Sequence, residues 1–397
     1  MGKGIVEGRS FFRFVKDVAM RECRIIYHSP IYWLCMIVLP LTVLIFFTTM
    51  MNEGQPTRLP IAIVDNDHST LSRTLIRRLD AFQSTEIVAQ YDNVNEASKA
   101  MREGDIYAFL HIPYGMAAQL STGRQPHMSY YYTMTTITGG TLAMKDLKTI
   151  SLLATGAAGK QVMSAKGMSD KQIATFLQPI EVDLHQINNP WTNYNMYLSC
   201  VFVPGLFMLF IFLITAYSLG CELKFNRSRQ WIASAGNNIW LALIGKLLPH
   251  TMILVTVASI YVWHLFGNMG FVHHGGAMAM VLLSLAMVLP AQGFGVAIFG
   301  LIPSMRMSMS VCSLWAVLSF SMVGSAFPIE AMDSPIQALS WLFPLRHYFM
   351  IYQSQILNGY ALSGVWVHVL CLLAFTLLPI LVVSRIKRVM LIYEYTK

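Results

Sequence analysis

The stretch CELKFNRSRQWIASAGNNIWLALIGKLLPH (221–250) decides the fold, because it is a polar island between two long apolar runs. Glu222, Lys224, Arg227 and Arg229 crowd into it, in a chain that is 55% hydrophobic and only 12% charged. Soluble domains carry about 25% charged residues. The flanking runs, 196–221 and 247–266, contain no Lys, Arg, Asp or Glu. Each is long enough to cross a bilayer as a helix, which takes roughly 20 apolar residues. Working outward, four more runs qualify: 31–51, 275–303, 307–329 and 361–384. The expected fold is an α-helical polytopic membrane protein with six transmembrane helices. About thirty polar and basic residues precede the first run, so it reads as a retained anchor rather than a cleavable signal.

Charge orients these spans. Residues 1–30 carry six Lys/Arg against three acids, 221–246 four against one, and the tail 385–397 four against one, while Arg306 stands alone. The alternate segments are near balance: twelve against thirteen across 52–193, and one against two across 326–360. Positive charge collects on the cytosolic side of a membrane protein. Both termini and the 222–246 segment are therefore expected in the cytosol. The basic balance speaks of topology and anionic membrane lipid, not of nucleic acid. All six cysteines fall within the spans or on their cytosolic side, with no CxxC or Cys/His ligand spacing.

Residues 52–193 are long enough for an inserted extracytoplasmic α/β domain. LPIAIVD (59–65), TEIVAQY (85–91), DIYAFLHIP (105–113) and HMSYYYT (127–133) read as strands. Between them lie a helix capped by Ser69, a helix closed by Gly104, and a short helix over 114–121. A long helical stretch, 137–167, follows. Asp65, Asp67 and His68 could be metal ligands, but Asp and Asn commonly bond their own backbone in a turn, which is the favoured reading. His273 and His274 are read the same way, as a wet turn.

Catalytic signatures are missing. TGAAGKQ (155–161) lacks the first glycine of a phosphate-binding loop and has Gln161 where Ser or Thr would hold magnesium. With no Lys, Arg, Asp or Glu inside the six runs, nothing suggests a proton or sodium relay of the kind such charges usually mark. Pro40, Pro204, Pro249, Pro290 and Pro379 permit kinks. The 26 methionines are adaptable apolar surface, most simply helix packing.

Residues 222–234 place Leu223, Arg227 and Gln230 on one helical stripe, with Phe225, Trp231 and Ile232 leaning to another. That suits one helix along the membrane surface, aromatics in the interface and cations in the cytosol, ended by Gly236–Asn237–Asn238. In the 330–360 segment, Pro335, Pro344 and Gly359 break the chain into pieces too short to cross the bilayer. Trp341, Phe343, Tyr348, Phe349 and Tyr352 are expected at the outer interface, with Arg346–His347 as the alternative lining of an exit gate.

The chain resembles the permease subunits of ABC-2 type transporters, in the six-span exporter branch with a large external domain between the first two spans. The likeness rests on RECRIIYHSPIYWLCMIVLPLTVLIFF (21–47), IAIVDNDHSTLSRTL (61–75), EGDIYAFLHIP (103–113), the 222–250 stretch and FPIEAMDSPIQALSWLFPLRHYFMIYQSQILNGY (327–360), in that order. It implies that residues 1–30 form a connecting helix, 222–246 a coupling segment and 330–360 an external helical hairpin. It also implies cytosolic ABC ATPase subunits that bind the ATP and magnesium, and a second permease, identical or paralogous, completing the pathway. Many relatives carry two acids and an Arg-Gly-Thr where this chain has Glu222 and RSRQW. With that departure, Glu222, Arg227, Arg229, Trp231 and Lys246 carry over as ATPase-coupling residues. Trp341, Phe343, Arg346 and Tyr348 carry over as the hairpin or gate. The implied activity is outward movement of an amphipathic, drug- or lipid-like substrate across a bacterial inner membrane, with no ATPase site in this chain. A mechanotransmitting subunit working a periplasmic partner, and a receptor or scaffold, stay open as alternatives. So do a periplasmic adaptor and an outer-membrane channel as further partners.

Overall fold

A computed structural model describes residues 11–392 except 51, 181, 184, 186–188 and 190–191. The expectations for residues 1–10 and 393–397, and for part of the 178–191 stretch, lie outside the described residues. The chain divides into two compact units, residues 53–186 and the remainder.

The remainder begins with α1 (Phe11–His28). Val15, Val18, Ala19, Glu22 and Ile26 recur along it at helical spacing, forming one inward stripe. After Ser29, α2 (Pro30–Met50) starts on a proline suited to a first helical turn, and passes through a wide π-turn at Leu34–Val38.

The 53–186 unit is a four-stranded sheet, order β2-β1-β3-β4, covered by helices. β1 (Leu59–Asp65) pairs in parallel with β2 (Thr85–Gln90) and with β3 (Ala108–Ile112), and β3 pairs antiparallel with β4 (Ser129–Tyr132). Parallel neighbours need crossovers, supplied by α3 (Thr70–Leu79) and α4 (Val94–Glu103). Ser69 caps α3 by accepting from the Ser72 N–H, and Gly104 closes α4 at φ 90°, a conformation glycine adopts without strain. α5 (Met116–Ser121), the long α6 (Ile137–Ala165) and α7 (Asp170–Leu177) complete the unit. α7 was not expected from the sequence. Asp65 makes the turn it was read to make: its Oδ1 accepts from the Asp67 and His68 N–H groups, and its Oδ2 accepts from Ser72 Oγ at 2.8 Å.

The chain then runs through α8 (Tyr194–Lys224), α9 (Ser228–Ser234), α10 (Ile239–Asn268), α11 (Ala277–Leu301), α12 (Met305–Ser321), α13 (Ser334–Ser340), α14 (Pro344–Ile351) and α15 (Leu362–Ile392). Among the described residues, five helices, α2, α8, α10, α11 and α15, are long and apolar enough to cross a membrane. α12, at 17 residues, is shorter than they are.

Three expectations are corrected. The helices outrun the uncharged stretches: α8 continues through Glu222 and Lys224, and α10 begins at Ile239, so it contains Lys246. Glu222 and Lys246 are compensated inside the protein, so the helices need not stop at them, while Lys224 ends α8 as an exposed cation. The 222–234 segment is not one surface helix either. α8 ends at Lys224, Asn226 turns the chain at φ 55°, and α9 restarts at Ser228 with Trp231 and Ile232 buried. Its far end falls where expected, at Gly236–Asn237, both with positive φ. In the hairpin, Phe343, Tyr348 and Tyr352 are core residues, not interface aromatics, because α14 packs inward against α8, α11 and α15. Trp341 is the exposed one, at 41%.

Candidate functional site

The most concentrated polar chemistry in the helical unit lies where α1, α8 and α10 meet, beneath α9. Arg21 and Glu22 come from α1, Glu222 from the last turn of α8, and Lys246 and His250, one turn apart, from α10. Arg21 grips Glu222 with both guanidinium nitrogens, each at 2.8 Å, the two-pronged geometry that makes such pairs strong. Lys246 Nζ donates to Glu22 at 2.8 Å and to Glu222 at 2.9 Å. Glu22 also accepts from Ser218 Oγ at 3.2 Å, and His250 Nε2 donates to it at 3.1 Å. Glu22, Glu222, Lys246 and His250 are each at most 3% exposed.

Two acids thus face two cations, and all but the half-buried Arg21 are closed to water. Removing ions from water costs several kcal/mol each, so the arrangement stands only because each charge is met by others. Glu22 carries the signature of this. Burial alone would raise its pKa, but the Lys246 charge and the His250 and Lys246 hydrogen bonds outweigh burial and bring it down to about 2.

Packing explains the neighbouring sequence. A Cβ on Gly245 would meet Val18 Cβ at 2.7 Å and the Val15 carbonyl oxygen at 3.0 Å, so glycine there lets α1 lie close on α10. Trp231 is fully buried with Val18, Leu219, Leu223, Ile232 and Phe299, and Lys246 Nζ sits 5.5 Å from its ring centre. Trp231 is therefore an internal keystone, and in this structure it does not present an exposed anchor to another protein. Glu222 and Lys246 likewise point into the cluster.

The exposed face of the segment is cationic and aromatic: Lys224, Phe225, Arg227 and Arg229. Arg227 and Lys224 lie over the Phe225 ring at 5.1 and 5.7 Å. Arg229 reaches the Leu391 carbonyl at 3.3 Å, and Ser228 Oγ donates to the Met390 carbonyl at 2.6 Å, which ties α9 to the end of α15. Among the described residues, none of these exposed cations has a carboxylate partner within salt-bridge distance.

Of the residues singled out from sequence, Glu222, Trp231 and Lys246 are brought together, while Arg227 and Arg229 face outward. Trp341, Phe343, Arg346 and Tyr348 form a separate group at the start of α14. There Arg346 is buried with no partner for its Nε among the described residues. His347 Nε2 donates to the Trp341 carbonyl at 2.9 Å, and its Nδ1 meets His368 Nδ1 at 2.9 Å.

Arg21, Glu22 and His250 were missed. A signal was present for Glu22, an acid standing on the apolar stripe of α1 between Val18 and Ile26. Another was His250, one turn beyond Lys246. Among the described residues no cluster of three or more His, Cys, Asp or Glu could hold a metal ion.

No curated protein matches the chain. Residues 30–385, from the start of α2 almost to the end of α15, match the family described as ABC-2 family transporter protein. That span takes in the connecting turn, the inserted unit, the ion cluster's contributions from α8 and α10, and the hairpin. The chain belongs to the ABC-2 transporter family, whose members are the membrane permease components of ABC transporters.

Proposed function

We propose that the chain is the permease subunit of an ATP-driven exporter. ATP and magnesium are bound by cytosolic ATPase subunits, and an amphipathic, drug- or lipid-like substrate moves outward at the junction with a second permease. In this reading both termini and α9 face the cytosol of a bacterial inner membrane, α12 serves as the sixth span, and residues 53–186 lie outside.

The observation that carries the proposal is the ion cluster beneath an exposed cationic face. Lys224, Arg227 and Arg229 present charge without acid partners among the described residues, which suits an acidic face on an ATPase subunit. Behind them, Glu222 and Lys246 fasten the segment to α1 and α10, so a push on α9 is delivered to three helices at once. Glu222, Trp231 and Lys246 then act as transmitters, and Arg227 and Arg229 as the contact. Trp341, Phe343, Arg346 and Tyr348 would shape the outer gate of the same pathway.

Purification from native membranes in mild detergent, with co-purified proteins identified and ATP hydrolysis measured, tests this. An ATPase subunit should accompany the chain, and the double charge reversal R227E/R229E should reduce its association at least about tenfold. A homo-oligomer with no ATPase, or association indifferent to the reversal, would overturn it.

A further inference from the structure

Two hollows meet where α1 gives way to α2. The first, about 570 Å³, lies between the end of α1, the start of α2 and the α8–α9 turn. Arg24 and Arg227 supply its cationic chemistry, and His28, Tyr32, Tyr217 and Phe225 its walls. Among the described residues, no carboxylate lines it. The acids of the adjoining cluster, Glu22 and Glu222, are engaged by Arg21, Lys246 and His250. Neither Arg24 nor Arg227 has a carboxylate within salt-bridge distance among the described residues. His28 donates from Nδ1 to the Arg24 carbonyl at 2.8 Å, which leaves Nε2 as its open nitrogen.

The second hollow, about 670 Å³, shares His28 with the first and is otherwise apolar: Tyr27, Pro30, Ile31, Trp33, Leu34 and Val38. Ile31, Trp33, Leu34 and Val38 are each 41–49% exposed, so the groove opens sideways along α2 rather than into the core. Trp33 and Tyr27 are the residue types that settle at the level of lipid headgroups.

A cationic cup joined to an apolar groove at one histidine matches one class of molecule. We infer that this junction is a binding site for an anionic phospholipid, its phosphate held by Arg24 and Arg227 beside His28 and an acyl chain lying along Ile31, Leu34 and Val38. Basic pockets between helices on the cytosolic side of a membrane hold anionic headgroups by this combination of charge and shape. The site joins α1 to the α8–α9 turn, so an occupied site clamps the connecting helix to the coupling segment beside the ion cluster, whose His250 packs on Tyr32 at 5.4 Å. The inference stands apart from the transport reading, because binding needs no ATPase.

The test uses the purified full chain in detergent, titrated with phosphatidylglycerol or phosphatidylcholine and read by native mass spectrometry. Phosphatidylglycerol should bind the R24Q/R227Q protein at least about tenfold more weakly than the parent, with phosphatidylcholine bound equally by both. R24K/R227K should restore most of the difference, which separates charge from a folding defect. Leu34→Gln, in the groove, should weaken phosphatidylglycerol about threefold or more. Equal retention of phosphatidylglycerol by the parent and R24Q/R227Q would overturn the assignment. Weaker inorganic phosphate binding in R24Q/R227Q, with phosphatidylglycerol unaffected by Leu34→Gln, would identify a free-anion site and overturn the lipid.

Discussion

Glu22 and Asp146 are both carboxylates sunk beneath a helix, one in each compact unit, and they are held in opposite ways. Glu22 meets Lys246 and His250, and its pKa falls to about 2 despite burial. Asp146, on α6, meets the Thr85 hydroxyl at 3.2 Å. There burial dominates, and the hydroxyl bonds and the Lys145 charge do not offset it, so its pKa rises. A buried acid answered by cations from other helices is a tie between those helices. A buried acid answered by hydroxyls is a local cost that the fold carries.

The contrast can be broken most forcefully at Lys246. Lys246→Met leaves Glu22 and Glu222 facing each other with Arg21 as the remaining full charge, and should cost about 3–5 kcal/mol. Unfolding of the full chain in detergent measures it. Adding Glu22→Gln should recover part of the loss, and the double-mutant cycle gives the coupling. Strict additivity would show that the cluster is no cluster.

Acid is the next lever. Glu22 is depressed in the folded state, so its contribution is fully present above its ordinary value of 4.5 and is lost as pH falls towards about 2. That contribution is roughly 3 kcal/mol, and Glu22→Gln should flatten this limb of the stability–pH curve. Asp146 has the opposite sign. Its raised folded pKa makes its contribution grow as pH falls through that value and disappear as pH rises.

Gly245→Ala tests packing without touching charge. The added Cβ pushes α1 away from α10 and should cost about 1–3 kcal/mol, read as a lower unfolding midpoint. If it also uncouples the proposed ATPase partner, the spacing of α1 matters as much as the ions do. The smallest effect is expected at Asp146→Asn, within about 1 kcal/mol and stabilising at neutral pH, with the gain vanishing in acid. Hydrogen exchange of the 53–186 unit would show it, and a large loss there would erase the distinction between the two carboxylates.

The same contrast explains what was legible in the sequence. The 53–186 unit is built of short local patterns, and β1 to β4, the Ser69 cap and the Gly104 stop could all be read from neighbours a few residues apart. The ion cluster joins residues 201, 224 and 228 positions apart, which no local periodicity links. Charge was taken as the mark of a helix leaving the membrane. Glu222 and Lys246 neutralise each other inside, so the helices ran on through them. Aromatic residues in the hairpin were assigned to the interface by type, but Phe343, Tyr348 and Tyr352 answer to the packing of α14, which composition does not carry. The break at Asn226 is set by one left-handed residue that only its backbone reveals.

α12 has a consequence of another kind. Seventeen residues of helix measure about 25 Å, against a hydrocarbon layer of about 30 Å. If α12 is the sixth span, as proposed, Arg306 at its first turn has little apolar length to spare and must reach for the headgroups. The lipid beside it then thins by a few ångströms, at a cost of fractions of a kcal/mol per ångström. A short span of this kind would sit at ease in thin membranes and under lateral stress in thick ones.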